Sequence, residues 1–278
     1  MRLSVMPGGA ALDPPVPPGR ADEAGSSSVR VAPAEQRVAD TVVDAAPLTL
    51  TVSTVSVGLF LGCVVVTLHA LNGAAQLIQL YTDDFGLRAT FLELFLVNNE
   101  GKVPTWYSTI TLAACALLAA AIAFASVGGR GPFAVRWLLL ALVFVAMSFD
   151  EFAELHPTVG GPLPELVGTD GGTIGFGWVA NGALFVGLFA LLYAGLLIRL
   201  PDPARLLLLA GGAAYVAGAL GMEVIGGRID ASRGSDTGAY AAAASFEELL
   251  EMTGIVLVIC ALWRYLGHIC REVNLRLT

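Results

Sequence analysis

Long apolar stretches alternate with short polar segments along most of this chain. Each apolar segment is close to the roughly 20 residues that cross a hydrocarbon core of ~30 Å. Backbone groups in lipid must be hydrogen-bonded within their own segment, so these segments are predicted to be helices. The pattern therefore predicts an all-α, polytopic membrane helix bundle with about six transmembrane helices. The segments cover residues 49–72, 105–127, 134–156, 174–198, 204–223 and 244–266.

The two ends of the chain differ from this bundle. Residues 1–47 contain seven of the 14 prolines and a run of three serines, but no apolar stretch. That composition is typical of a disordered tail. It lacks the apolar region of a signal peptide, so the first apolar segment is expected to direct the chain to the membrane. We predict a disordered cytoplasmic tail over 1–47, a six-helix transmembrane domain over 48–267 and a short basic cytoplasmic tail over 268–278.

Composition supports the membrane prediction and excludes some functions. Hydrophobic residues make up 56% of the chain and charged residues only 14%, whereas a soluble domain carries about 25% charge. The net charge of -8 argues against a nucleic-acid partner, which requires clustered Lys and Arg. The four cysteines form no CxxC pair and are predicted to be buried apolar residues. The lipid bilayer is the expected partner, and the sequence leaves open whether the chain forms a homo-oligomer.

The arginines predict the orientation in the membrane. The segments following the second, fourth and sixth apolar stretches hold seven basic residues and two acidic ones. The opposite side holds four basic residues and 15 acidic ones. The positive-inside rule places the basic side in the cytoplasm. Both termini are then cytoplasmic, and the chain is expected to be a multi-pass protein of a bacterial inner membrane.

Several acids are predicted to lie deep in the membrane. Asp150 is 14 residues from Arg136, which is roughly 21 Å along a helix. Glu251 is 13 residues from Arg264, or roughly 20 Å. The same measure places four further polar residues about 26–27 Å above the inner boundary. The last four helices therefore share one polar layer towards the extracytoplasmic side. Its outer members are Glu154, Asn181, Glu223 and Glu247.

Charged groups in this layer require a special environment. A charged side chain in the core costs roughly 2.5–3.5 kcal/mol, so these acids must face the bundle interior, pair, take up protons or bind a cation. The i,i+4 spacing of Asp150 and Glu154, and of Glu247 and Glu251, places two carboxylates on one face of each helix. Carboxylates with an imidazole suit Fe, Mn or Zn. The imidazoles in question are His69 and His156.

Structural roles explain some of the same residues. Ser245-x-x-Glu248 fits a capping box at the start of the last helix. Glu247 in the first turn of that helix would favour its dipole. His69 could be a satisfied core histidine, and the acids could form a buried hydrogen-bond network that holds the bundle together.

Four motifs resemble a group of uncharacterised bacterial multi-pass membrane proteins. They are residues 98–108 (NNEGKVPTWYS), 147–156 (MSFDE followed by His156), 221–227 (GMEVIGG) and 247–254 (EELLEMTG). The resemblance covers about residues 50–266; it implies a six-helix membrane fold and carries no known activity. The chain departs from the family pattern at two positions. Residue 157 is Pro157 where the family has an acid, and Glu154 matches no acid of the family. The resemblance marks Glu100, Asp150, Glu151, His156, Glu223, Glu247, Glu248 and Glu251 as motif polar positions.

Three functions compete at this point. The first is a metal-dependent membrane enzyme acting on a lipid-like substrate, with Asp150, Glu151 and Glu251 as ligands, joined by His69 or His156. Glu247 would then be the general base. The second is a proton- or cation-coupled transporter. The third is a structural or assembly protein with a buried polar network.

Overall fold

The chain is helical throughout the part that the structure describes. The computed structural model describes residues 52–96, 102–128, 133–153 and 176–270. The prediction of an all-α fold is confirmed for these residues, and the two predicted tails lie outside them except for residues 268–270. The elements are α1 (Thr54–Tyr81), α2 (Arg88–Phe95), α3 (Val103–Gly128), α4 (Ala134–Ala153), α5 (Phe176–Leu197), α6 (Asp202–Val216), a π-helical segment π1 (Ala217–Met222), α7 (Glu223–Arg233) and α8 (Gly238–Ile269).

Five of these helical stretches are long and apolar enough to cross a membrane, which fits an integral membrane protein. The one predicted span that is not among these five is the third along the chain; it corresponds to α4, which is 20 residues long. Every 18-residue window of α4 contains Arg136, Asp150 and Glu151, whereas each of the other five stretches has a window of that length with at most two charged residues. The five are Thr54–Tyr81, Val103–Ser126, Val179–Leu197, Asp202–Arg233 and Gly238–Ile269.

The main apolar core lies among α3, α4 and α8. Leu112 of α3, Leu140 of α4 and Leu262 of α8 are buried in one cluster. Trp137 stacks on Tyr265 with ring centroids 5.1 Å apart, which joins α4 to α8. These contacts hold α4 against the bundle and so determine where its acidic end lies.

A polar contact joins α1 to α8. The side-chain amides of Asn72 and Gln76 both donate to the Ser245 hydroxyl, at 2.8 and 2.7 Å. Asn72 is only 2% exposed, so this contact replaces the water that a buried amide would otherwise need. The Ser245 hydroxyl in turn donates to the Ala241 carbonyl oxygen at 2.7 Å.

Glycines allow α6 and α8 to touch through their backbones. A Cβ atom built on Gly254 would lie 2.7 Å from the Gly211 carbonyl oxygen and 2.7 Å from the Tyr215 nitrogen. A Cβ built on Gly211 would lie 2.7 Å from the Gly254 carbonyl oxygen. Larger residues do not fit such an approach, so this crossing depends on glycine in both helices.

The helix boundaries correct two sequence predictions. Helix α1 continues to Tyr81, nine residues beyond the predicted end at residue 72, so His69 lies in its interior. Helix α8 begins at Gly238, where the Thr237 hydroxyl accepts from the Tyr240 nitrogen at 3.3 Å. The predicted capping box of Ser245 and Glu248 is therefore wrong. The physical reason is the alanine run 241–244, which has high helix propensity and extends the helix by two turns.

Candidate functional site: an acid cluster between three helices

Six carboxylates approach one another where α4, α7 and α8 meet. Glu251 interacts electrostatically with Glu248, Glu247, Glu151 and Glu223. Asp150 joins the same group through Tyr215 on α6, as described below. These acids include four residues that the sequence predicts in one polar layer: Asp150, Glu223, Glu247 and Glu251. We call the following residues the acid cluster: Asp150, Glu151, Glu223, Glu247, Glu248 and Glu251.

Segment π1 packs directly against the part of α8 that carries these acids. A Cβ atom built on Gly218 would lie 2.8 Å from Glu251 Cγ and 2.9 Å from the Glu247 carbonyl oxygen. Gly218 is buried in this contact. Single π-helical turns within α-helices are frequent at functional sites. Here the π-helical turn leads directly into Glu223, the first residue of α7.

Tyr215 lies among the carboxylates, and sequence reasoning missed it. Its side chain interacts electrostatically with Glu251, Glu151, Asp150 and Glu248. Gly211 lies four residues before it and Gly218 three residues after it, so all three share the face of the helix that packs on α8. That spacing was the available signal. It was hidden because the same helix also carries a stripe of small residues, which is typical of plain helix packing.

The acids on α8 have no basic partner among the described residues. The ion pairs there join Arg88 to Asp84, Lys102 to Glu93, and Arg205 to Asp202. The Glu248 Oε2 atom is buried and has no hydrogen-bond partner within this part of the chain. A buried carboxylate oxygen without a donor is costly, so a proton, a cation or water is needed there.

The predicted metal ligands that the structure describes are not arranged as a metal centre. Across the described ranges, no three His, Cys, Asp or Glu side chains are arranged to hold a metal ion. His69 Nδ1 lies 3.0 Å from the Val65 carbonyl oxygen, and its buried Nε2 atom has no partner in the described residues. Asn181 is half-buried near the start of α5. The remaining candidates lie outside the described residues: Glu100, Glu154 and His156.

Comparison with known proteins gives a family but no activity. No curated protein matches the chain. No solved structure matches it either. A family model described as a domain of unknown function, DUF8692, matches residues 58–266. All six residues of the acid cluster and Tyr215 lie within that range. The chain therefore belongs to the family defined by this domain of unknown function.

Proposed function

We propose that this protein is a proton- or cation-coupled membrane transporter, in which the acid cluster is the intramembrane binding site. The observation that carries the proposal is the convergence of six carboxylates from three helices, with no base paired to those on α8. Like charges in a medium of low dielectric repel strongly, so such a group binds protons or a cation. Intramembrane carboxylates of this kind serve as ion and proton pathways in transporters.

The proposal includes a six-span topology with both termini in the cytoplasm. Helix α4 serves as the third span, since its 20 residues correspond to about 30 Å at 1.5 Å per residue. Its Arg136 then lies at the cytoplasmic end and its Asp150 and Glu151 lie near the extracytoplasmic end. Arg199 and Arg264 lie at the same cytoplasmic side in this topology, in agreement with the positive-inside rule.

One feature favours a proton path over metal-dependent catalysis. The Tyr215 side chain interacts electrostatically with four of the carboxylates, and a phenol hydroxyl can both donate and accept a hydrogen bond, as a proton path requires.

Proton flux in proteoliposomes tests this proposal. Purified protein is reconstituted with a pH-sensitive dye inside the vesicles, and a potassium diffusion potential with valinomycin drives cations inward. We expect acidification of the lumen with the wild type, and at least a tenfold lower rate with Glu251→Gln. Glu93→Gln is the matched control, because Glu93 pairs with Lys102 outside the cluster.

Repeating the assay with Na⁺ or K⁺ gradients distinguishes a proton from a cation. Equal flux in wild type and Glu251→Gln under every gradient would contradict the proposal. Stoichiometric Fe, Mn or Zn in protein purified without exposure to a chelator would instead support the metalloenzyme hypothesis. Loss of that metal in the double variant Asp150→Asn/Glu251→Gln would strengthen it.

A further inference from the structure

Two arginines meet at one aromatic ring at the end of the bundle opposite the acid cluster. The guanidinium carbon of Arg136 lies 5.0 Å from the centroid of the Phe133 ring. That of Arg199 lies 5.1 Å from the same centroid. Because both distances end on one ring, the two guanidinium groups are at most about 10 Å apart, and each is within cation–π range. We call Phe133, Arg136 and Arg199 the arginine pair site.

Neighbouring residues hold this arrangement in place. The Tyr193 hydroxyl donates to the Arg136 carbonyl oxygen at 2.8 Å, which ties the start of α4 to α5. A Cβ atom built on Gly195 would lie 3.4 Å from Arg136 Nη1, so the Arg136 side chain lies along α5. Arg136 is half-buried while Arg199 is exposed, so one charge is held by the protein and the other faces outward.

The positive charge of the site is not balanced within the described residues. The ion pairs found there include neither Arg136 nor Arg199. The site also lies at the first turn of α4, where backbone N–H groups have no partner within the helix. Two guanidiniums near a helix N-terminus attract an anion, and arginine is especially suited to phosphate oxygens.

The position of the site indicates where that anion comes from. Arg199 follows the apolar stretch Val179–Leu197 by two residues, which puts it at the edge of a membrane-crossing helix. Lipid phosphates occupy this depth, and basic pockets between transmembrane helices bind anionic headgroups. We infer that the arginine pair site binds the phosphate group of an anionic phospholipid. This inference is independent of what the acid cluster carries.

Native mass spectrometry with short-chain lipids tests the inference. Detergent-purified full-length protein is titrated with dioctanoyl phosphatidylglycerol, dioctanoyl phosphatidylcholine or inorganic phosphate. We expect saturable phosphatidylglycerol adducts, with a Kd about fivefold higher in Arg136→Gln and in Arg199→Gln, as a loss of one basic residue near a membrane surface predicts. Arg264→Gln is the control, because Arg264 is exposed at the end of α8 and lies on the same predicted side of the membrane; its affinity should equal that of the wild type.

A second variant protects the test against misfolding. Phe133→Leu keeps both arginines and removes only the ring, and we expect it to weaken phosphatidylglycerol binding two- to threefold. Equal affinity in the wild type, both arginine variants and Phe133→Leu would overturn the inference. Equal affinity of the wild type for phosphatidylglycerol and phosphatidylcholine would also overturn it. Inorganic phosphate that binds as tightly as phosphatidylglycerol would assign the site to a soluble phosphate compound and overturn the lipid assignment.

Discussion

Tyr215 places a phenol hydroxyl among four carboxylates that come from two other helices. Its interactions with Asp150 and Glu151 reach α4, and those with Glu248 and Glu251 reach α8. A hydroxyl can donate to one carboxylate while it accepts from another that is protonated. We therefore expect Tyr215 to link the acids of α4 to those of α8.

Replacing Tyr215 tests that connection. A hydrogen bond to a charged group is worth about 1.5–3 kcal/mol, so Tyr215→Phe should lower proton or cation flux roughly tenfold or more. The ring is retained, so the melting temperature in detergent should change little. Tyr81→Phe is the matched control, since Tyr81 is 79% exposed at the end of α1. Unchanged flux in Tyr215→Phe would remove the residue from the path.

Neutralising a single acid distinguishes an ion site from a structural network. Glu248→Gln keeps the shape of the side chain and removes one of several like charges, so it should raise the free energy of unfolding by about 1 kcal/mol or more. A structural network would lose stability from the same change. Denaturation in mixed detergents measures this, with Glu93→Gln expected to change stability by less than about 1 kcal/mol because surface ion pairs contribute little.

At the scale of the helices, glycines determine how closely π1 and α6 approach α8. Gly218 faces Glu251 Cγ and the Glu247 carbonyl oxygen, whereas a Cβ atom on Gly221 of the same segment would have nothing within 4 Å. Gly254 faces Gly211 and Tyr215, whereas Gly212 on α6 likewise has open space around it. The molecule thus offers two pairs of glycines that differ in surroundings: Gly218 and Gly221, both on π1, and Gly254 on α8 with Gly212 on α6.

These pairs predict opposite effects of the same substitution. Gly218→Ala and Gly254→Ala should destabilise the protein by about 1–3 kcal/mol, because the added methyl group meets backbone atoms. Gly221→Ala and Gly212→Ala should be neutral or stabilising by roughly 0.5–1 kcal/mol, since alanine is the better helix former. The free energy of unfolding in mixed detergents checks both. Similar losses in all four variants would show that close packing is not the cause.

The sequence predicted the positions of the helices better than their ends or their orientations about their own axes. The rise per residue is the same in every α-helix, so counting from Arg136 and Arg264 placed Asp150 and Glu251 at similar depth, and the structure brings both acids into the cluster. Rotation about a helix axis depends on packing, which is why Tyr215 was missed. The π-helical segment was missed for the same reason, because it depends on the contact of Gly218 with α8.

At the scale of the whole molecule, orientation is testable through Cys270. Burial raises the pKa of the Cys270 thiol, which lies just beyond the end of α8. In a background where Cys63, Cys115 and Cys260 are serine, an impermeant maleimide should label Cys270 only after the membrane is opened, and faster as the pH rises because the thiolate reacts. A second variant tests the other side of the membrane. It carries Cys270→Ser in the same background and a single cysteine from Asp236→Cys, at the exposed α7–α8 turn, and this cysteine should react in intact cells. Labelling of Cys270 in intact cells would reverse the proposed topology.

The π-helical turn over Ala217–Met222 also means that backbone geometry, rather than side-chain chemistry, decides whether Glu223 belongs to the cluster. A π turn holds one residue more than an α turn of the same helix. If the same residues formed a regular α-helix, the extra residue would rotate everything after the segment by about 100° relative to α6. Gly211 and Tyr215 would keep their places, whereas Glu223 would turn away from Glu247. A relative of the same length without the π turn would have five acids in the cluster instead of six.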